Sequence, residues 1–344
     1  MTKFDIMNYL DIRLDANEMD HRLKARLSPW ELFGVALCFS MIGIYVWLMK
    51  IHMGYPVDFE IYMNVEATTG LYYGAWITPF FNLLKFLPFT TAYVIFSIIN
   101  VLCALFTVRV LGGKPIFVLV GFQLFSTLYY GQMSGILAAG IALCWWGLAH
   151  RRWNICGLGM ILAMTKYQVG LFWCLLMIWY VGVSLRNFLR ILVVPALIGV
   201  ITLIIYPLWP LKVATNLSVF PNIPLGITLW IYMGAWCLLF WIPGFFLPMS
   251  RKERFFVFIS LLTLAVPYYQ HIDLLTLAAL PIGWLPLILQ VAFFRGLWGF
   301  TPIRLTALLP GLIYCAIVIP AGYRAAKDWI VTLKKNRSAP TGML

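Results

Sequence analysis

Four carboxylates stand where so apolar a chain has few reasons to keep them. The sequence has 344 residues and only twelve Asp and Glu. Asp5, Asp11, Asp15, Glu18, Asp20 and Glu31 belong to the N-terminal segment or its junction with the first apolar run. Glu253 sits in an Arg-Lys-Glu-Arg turn and Asp328 in a basic tail, where solvated pairing accounts for both. Asp58, Glu60, Glu66 and Asp273 remain, and an ionised group near bilayer-embedded structure is expensive to hold unless it is used. A carboxylate in poor solvent can take a proton from a hydroxyl. Lys166 and His271, at or inside the ends of apolar runs, have the complementary chemistry: they can hold an anion.

The elements that must position these groups follow from composition. With 62% hydrophobic residues, 11% charged and a mean hydropathy of +0.89, the chain reads as an all-α, polytopic helical membrane protein. Apolar length and breaks place spans near 30–50, 90–111, 115–131, 132–149, 155–170, 171–185, 188–209, 225–248, 254–268, 272–293 and 304–322. A break at Pro281-Ile282-Gly283-Trp284-Leu285-Pro286 divides the tenth into two, so about 11–12 membrane helices are expected. Residues 1–29 form a prelude that is either an amphipathic surface helix or disordered, 30–323 one membrane domain with an external loop 51–89, and 324–344 a basic tail.

Lys and Arg concentrate in cytoplasmic loops. The prelude, Arg109 with Lys114, Arg151-Arg152, Arg186 with Arg190, and Arg251-Lys252-Arg254 fall on alternate turns, as one common side requires. The opposite, extracytoplasmic side then carries the loop 51–89, the turn Tyr129-Tyr130-Gly131-Gln132, the Lys166 end of the fifth span, the loop 206–224, and Tyr268-Tyr269-Gln270-His271-Ile272-Asp273. Polar groups at several span ends on one side point to a site there, because bare polar groups in poor solvent need partners. The net charge of +13 is spread over short loops and a tail, which fits anionic lipid and not nucleic acid. The seven cysteines lie in apolar runs without C-x-x-C spacing and read as small core residues, and no metal or cofactor signature is present. No obligatory cofactor and no metal site are expected.

The order Asp58-x-x-x-Tyr62, Leu71-Tyr72, Trp76-Ile77-Thr78-Pro79, Gly131-Gln132 and Lys166 resembles the polyprenol-phosphate-mannose-dependent glycosyltransferases of GT-C type. The resemblance covers residues 30–180 well and 250–290 weakly. It departs from that family's pattern at Thr78-Pro79, where Tyr-x-Pro is usual, and at Lys166-Tyr167-Gln168-Val169, where a proline commonly follows the Lys.

The resemblance implies a GT-C-like fold whose first external loop carries membrane-surface helices. It also implies transfer of a hexose, mannose in that family, from a polyprenyl-phosphate sugar to a lipid or glycan acceptor on the extracytoplasmic face of a bacterial plasma membrane. Asp58 is then the base, Lys166, His271, Gln132 and Asp273 hold donor phosphate or sugar, and Glu60, Tyr62, Tyr72 and Trp76 hold acceptor or sugar. Other readings of the residues stay open. Glu60 can be a solvated neighbour, Lys166 can snorkel to headgroups, and Asp273 can serve a hydrated helix start. A lipid or sugar carrier and a non-catalytic subunit of a membrane complex are the alternatives to an enzyme.

Overall fold

A computed structural model describes residues 14–64, 74–216, 227–266, 269–294 and 301–338. The described residues are helical, with no strand among them. Five apolar helical segments are long enough to cross a membrane: Pro29–Lys50, Phe89–Leu111, Trp153–Val181, Leu185–Ile205 and Ile303–Thr332. The protein is therefore a multi-pass helical membrane protein in outline. Several of the other apolar runs expected as membrane helices fold, among the described residues, as shorter pieces. Pro115–Tyr130, Ser134–Ala149, Trp230–Phe246 and Leu285–Phe294 are apolar but short, and 3-10 geometry fills Gly234–Trp241 and Leu285–Phe294.

The prelude contributes helix α1 (Ala16–Lys24), whose N-cap Asp15 accepts from the backbone of Asn17 and Glu18. It is not laid along a membrane surface alone, since Met19 is fully buried in the main core. Of Phe4, Ile6, Met7, Leu10, Ile12 and Leu14, the apolar residues that would form the face of such a surface helix, all but Leu14 lie outside the described residues. Helix α2 (Pro29–Lys50) starts where the sequence says it should, with a Ser28/Glu31 capping box and Pro29 in the first turn. Arg109 then grips Glu31 through two nitrogens, at 2.7 and 3.1 Å, and donates to the carbonyls of Leu23 and Ala25. This fork ties prelude, α2 and the end of α5 (Phe89–Leu111) at the basic end of the bundle.

Between α2 and α5 the first loop carries α3 (Val57–Asn64) and α4 (Thr78–Leu84). They hold a cluster in which Phe59 is buried among Phe81, Phe89, Tyr93 and Phe96, ring centroids 5.1–6.4 Å apart. The loop is thus packed onto the first turns of α5.

The centre of the molecule is the hairpin of α8 (Ser134–Ala149) and α9 (Trp153–Ala163). Added β-carbons on Gly140, Gly147 and Gly159 would lie within 2.2–2.6 Å of the opposing backbone. Small residues let these two backbones touch, which is how helices gain dispersion energy where lipid removes the hydrophobic drive. A 3-10 turn, Met164–Lys166, follows α9 and leads into α10 (Tyr167–Val181). A β-carbon on Gly170 would stand 2.0 Å from the Ala163 carbonyl oxygen. Along a straight helix those residues would be about 10 Å apart, so the chain reverses here and the segment 153–181 is bent, as two separate spans would require. Helix α11 (Leu185–Ile205) returns beside α9, with Gly157 against Ile191. Helix α15 (Arg251–Leu264) packs along the C-terminal helix Leu308–Ser338.

Arg324 pairs with Glu253 at 3.0 Å, which places the start of the basic tail beside the Arg251–Arg254 turn. The tail does not begin as a separate segment, because the helix runs unbroken through Ser338. The expected break is present: helix α16 (Leu275–Ala278) stops, Gly283 takes a left-handed φ of 66°, and the next element starts at Leu285.

Candidate active site

The end of the bundle opposite the basic loops gathers two hydrogen-bonded clusters. The first hangs on α3. Asp58 and Tyr62 are four residues apart and share a helix face. Gln132 links them: its amide nitrogen donates to Asp58 Oδ2 at 2.6 Å, and the Tyr62 hydroxyl donates to its amide oxygen at 3.1 Å. Glu60, two residues on, faces away and accepts from Tyr55. Burial, then the charge and hydrogen bond of Glu60, hold the Tyr55 hydroxyl above its ordinary value. Glu60 is thereby separated from the Asp58 cluster.

Gln132 is held by the way α7 (Phe122–Tyr130) ends. Its N–H bonds to the Thr127 carbonyl and that of Gly131 to the Leu128 carbonyl, the paired bonds of a Schellman cap. Gly131 supplies the left-handed residue, φ 68°, and a side chain there would meet the Phe59 β-carbon at 2.4 Å. The Gly-Gln pair therefore does two things: it lets α3 close onto the cap, and it aims the amide at Asp58.

The second cluster lies at the start of α8. Lys166, in the 3-10 turn after α9, donates to Asp273 Oδ1 at 2.8 Å and to Ser134 Oγ at 3.1 Å, and Ser134 in turn donates to the same carboxylate oxygen at 2.9 Å. Lys166 is 2% exposed and Asp273 is fully enclosed. The ammonium does not snorkel to a surface, and Asp273 does not sit in a hydrated helix start. Each neutralises the other. Two of the three Lys166 N–H groups have these partners among the described residues. The Asp273 carboxylate keeps one buried oxygen, Oδ2, without a protein donor.

The position of this pair is deeper than its place in the sequence implies. The Gly135 N–H donates to Asn100 Oδ1 at 3.0 Å. Asn100 is eleven residues into α5, so α8 begins about 16 Å below the start of that helix. The first turns of α5 are covered by α3 and α4, and the ion pair lies beneath this cap.

The two clusters communicate. Burial raises Asp58 above the ordinary carboxylate range, while the Gln132 hydrogen bond and the Lys166 charge pull it back. The net direction is upward, so a half-buried carboxylate at this end holds its proton more tightly than a surface Asp.

His271 and Asp273 share one 3-10 turn (His271–Leu274) but point apart, as a two-residue step in a three-residue turn requires. The His271 ring lies against Phe122, its Nε2 3.3 Å from Ser126 Oγ, fully buried. It does not join Lys166 in these contacts. Trp76 packs edge-on against Trp209, centroids 5.5 Å apart, where the loop meets the end of α11, and it is not part of the Asp58 network. Tyr72 and Glu66 lie outside the described residues. Sequence reasoning missed Ser134, which bridges the ion pair, Tyr269, whose hydroxyl donates to the Asp273 carbonyl at 3.2 Å, and Asn100. Ser134 was findable as the first residue of a helix that follows Gly-Gln. Asn100 was findable as a lone amide in an apolar span.

No three His, Cys, Asp or Glu among the described residues are grouped so as to hold a metal ion. Comparison with protein families, with characterised proteins and with solved structures finds no match to this chain.

Proposed function

We propose that this protein is a membrane glycosyltransferase that moves a hexose from a polyprenyl-phosphate sugar to a lipid or glycan hydroxyl, with Asp58 as the general base. One observation carries the reading: three separate stretches of the sequence, α3 with Asp58 and Tyr62, the cap of α7 with Gln132, and the turn after α9 with Lys166, are brought together around one carboxylate. In the reaction the acceptor oxygen bonds to the anomeric carbon as the bond from that carbon to the phosphate oxygen breaks. The hydroxyl proton passes to Asp58, and the electron pair leaves with the lipid phosphate. The anomeric centre inverts through an oxocarbenium-like state.

Gln132 occupies Oδ2 of Asp58 and so turns Oδ1 toward an incoming hydroxyl. The raised proton affinity of Asp58 suits a group that must accept a proton as the new bond forms. Lys166 offers its remaining N–H from below, and acts there as a fixed positive centre balanced by Asp273, not as an unpaired phosphate clamp. Mannose and a bacterial plasma membrane stay part of the proposal on the strength of the family resemblance alone.

The test is Asp58→Asn in purified protein given a polyprenyl-phosphate sugar and an acceptor. Transfer should fall ~10²–10⁴-fold, the usual contribution of a positioned base, with the melting temperature and donor binding kept. Transfer near the wild-type rate would end the mechanism. One observation favours a carrier instead: a neutralised ion pair sunk half-way along α5 also suits a substrate path through the bundle. A carrier would move the lipid sugar between leaflets of sealed vesicles and release no sugar-free lipid phosphate.

A further inference from the structure

The outer end of α2 forms a second site, distinct from the Asp58 network. A cleft of about 500 Å³ opens there between the end of α2 and the start of α5, lined by Met49, Lys50, His52, Met53, Tyr55 and Phe89 among others. Its walls are divided. Two thioethers and two aromatic rings, Tyr55 and Phe89 stacked at 5.3 Å, make an apolar side, and Lys50 and His52 make a hydrogen-bond-donating side.

The backbone gives an independent sign. Helix α2 ends in the same double-bonded cap as α7: the Met53 N–H reaches the Leu48 carbonyl and the His52 N–H that of Met49. The left-handed position of that cap is a glycine at the ends of α7 (Gly131) and α10 (Gly182), whereas a residue with a side chain takes it at the end of α8, Arg151 with φ 54°, and at the end of α2, His52 with φ 58°. A side chain in that conformation is strained by ~1–2 kcal/mol relative to glycine, and strain kept at the rim of a cleft is the kind that serves binding. Lys50 alone would be explained by the negative end of the helix. His52 adds a second nitrogen-bearing side chain to the same rim, in the lining of the cleft.

We propose that this cleft binds the phosphate headgroup of a lipid, with Lys50 and His52 on the phosphate and Met49, Met53 and Phe89 against the adjoining chain. The side chains fit that chemistry in charge and in order: α2 is a largely uncovered apolar helix, with only 17% of its most apolar stretch buried, so an alkyl chain lying along it in the bilayer brings its head to Lys50. The cleft also adjoins the candidate active site. Tyr55 and Asp58 are three residues apart, at most about 11 Å of chain, and Phe89 packs on both Tyr55 and Phe59. A lipid phosphate held here is within reach of the base, although the binding claim itself does not depend on the transfer reading.

The test uses the full chain in a neutral detergent, titrated calorimetrically with dodecyl phosphate, with inorganic phosphate, and separately with nanodiscs that contain or lack phosphatidylglycerol. Dodecyl phosphate should bind, and Lys50→Ala should weaken it about ten- to a hundredfold, as loss of one charge-assisted contact does. His52→Ala should weaken it less. The ranking Lys50→Arg above Lys50→Ala above Lys50→Glu should hold, which misfolding would not produce. Competition by phosphatidylglycerol assigns the site to bulk phospholipid, and its failure to compete assigns it to a single-phosphate lipid such as a polyprenyl phosphate. Both support a lipid phosphate site. Inorganic phosphate binding as tightly as dodecyl phosphate, or affinities unchanged in both Lys50→Ala and His52→Ala, would overturn it. Because binding is read without turnover, its failure leaves the Asp58 mechanism standing, and a failure of sugar transfer leaves this result standing.

Discussion

Replacing Lys166 by Met is the perturbation that most directly probes how the site is built. Met matches the length of the Lys stem and is at home in an apolar bundle, so a Lys that merely reached for headgroups would be replaced at little cost. The structure gives a different expectation. Removal of the ammonium leaves Asp273, fully enclosed, with Ser134 as the donor to Oδ1 and no protein donor to Oδ2. Breaking a buried pair on one side costs about 3–5 kcal/mol, mostly the penalty of the uncompensated charge left behind. At roughly 2–4 °C per kcal/mol for a chain of a few hundred residues, the apparent melting temperature should fall by about 6–20 °C. Unfolding in detergent is seldom reversible, so the comparison belongs at one scan rate, read from intrinsic tryptophan fluorescence. The decisive control is Lys166→Met combined with Asp273→Leu. Apolar residues in place of a whole buried pair are often neutral or stabilising by ~1–4 kcal/mol, so the double variant should melt above the Lys166→Met single variant. If the single variant melts with the wild type, or the double variant falls by the sum of the two singles, the ion pair is not the element that joins the 3-10 turn after α9 to the turn 271–274.

Four further outcomes follow from the geometry. The transfer rate should fall at acidic pH with a midpoint above 3.8, the ordinary Asp value, because Asp58 is shifted upward and must lose its proton to act. Gln132→Leu removes a hydrogen bond that lowers Asp58, so it should move that limb to higher pH, and an unmoved limb would detach Gln132 from the base. Gly131→Ala should cost about 1–2 kcal/mol in stability, as expected for a side chain at φ 68°, and should slow transfer by pushing Phe59 and α3 off the cap; wild-type transfer would show that this closure does not position Asp58. A cysteine at position 327 should react with an impermeant thiol reagent from the same side of a sealed vesicle as one at position 26, since Arg324 pairs with Glu253 at the basic end, and opposite accessibility would break the assignment of one basic side.

Much of this architecture is written in short-range signals. The first span begins at Ser28-Pro29-Trp30-Glu31 because a capping box and an N-terminal proline are local chemistry, readable within four residues. Asp58 and Tyr62 share a face because they are four apart, and Glu60 leaves it because it is two apart. Gly131-Gln132 reads as a helix stop. The signals that failed are those that depend on what packs where. Apolar length does not say how much of a run is regular α-helix, since a 3-10 stretch buries the same residues, and the runs expected at 225–248 and 272–293 are in part 3-10 segments. The partner of Lys166 lies 107 positions away, and no periodicity in either segment points to the other. Trp76 is near the loop's other aromatics in sequence, whereas its ring packs on Trp209, 133 positions away.

The order of the two clusters has a physical logic. In the proposed reaction the base must be partly reached by substrate, and Asp58, proposed for that role, is only half-buried, on a short helix of a surface loop whose buried residues are Phe59, Tyr62 and Met63. Such a loop would be free to open if nothing rigid lay beneath it. The rigid support is the start of α8, fixed on three sides: by Asn100 of α5 through the Gly135 N–H, by Lys166 through Ser134, and by Asp273 through the same hydroxyl. Gln132 stands two residues before that helix and so inherits its position, and through Gln132 the carboxylate of Asp58 does as well. The buried charges are therefore placed where an error in register would be felt at the base. A slip of one turn between the Met164–Lys166 turn and the turn 271–274 would strand Lys166 without Asp273, at a cost no apolar repacking nearby could offset. On this view the ion pair is kept for the alignment it enforces more than for the stability it adds, and the half-buried base above it can be reached by substrate without being loosely held.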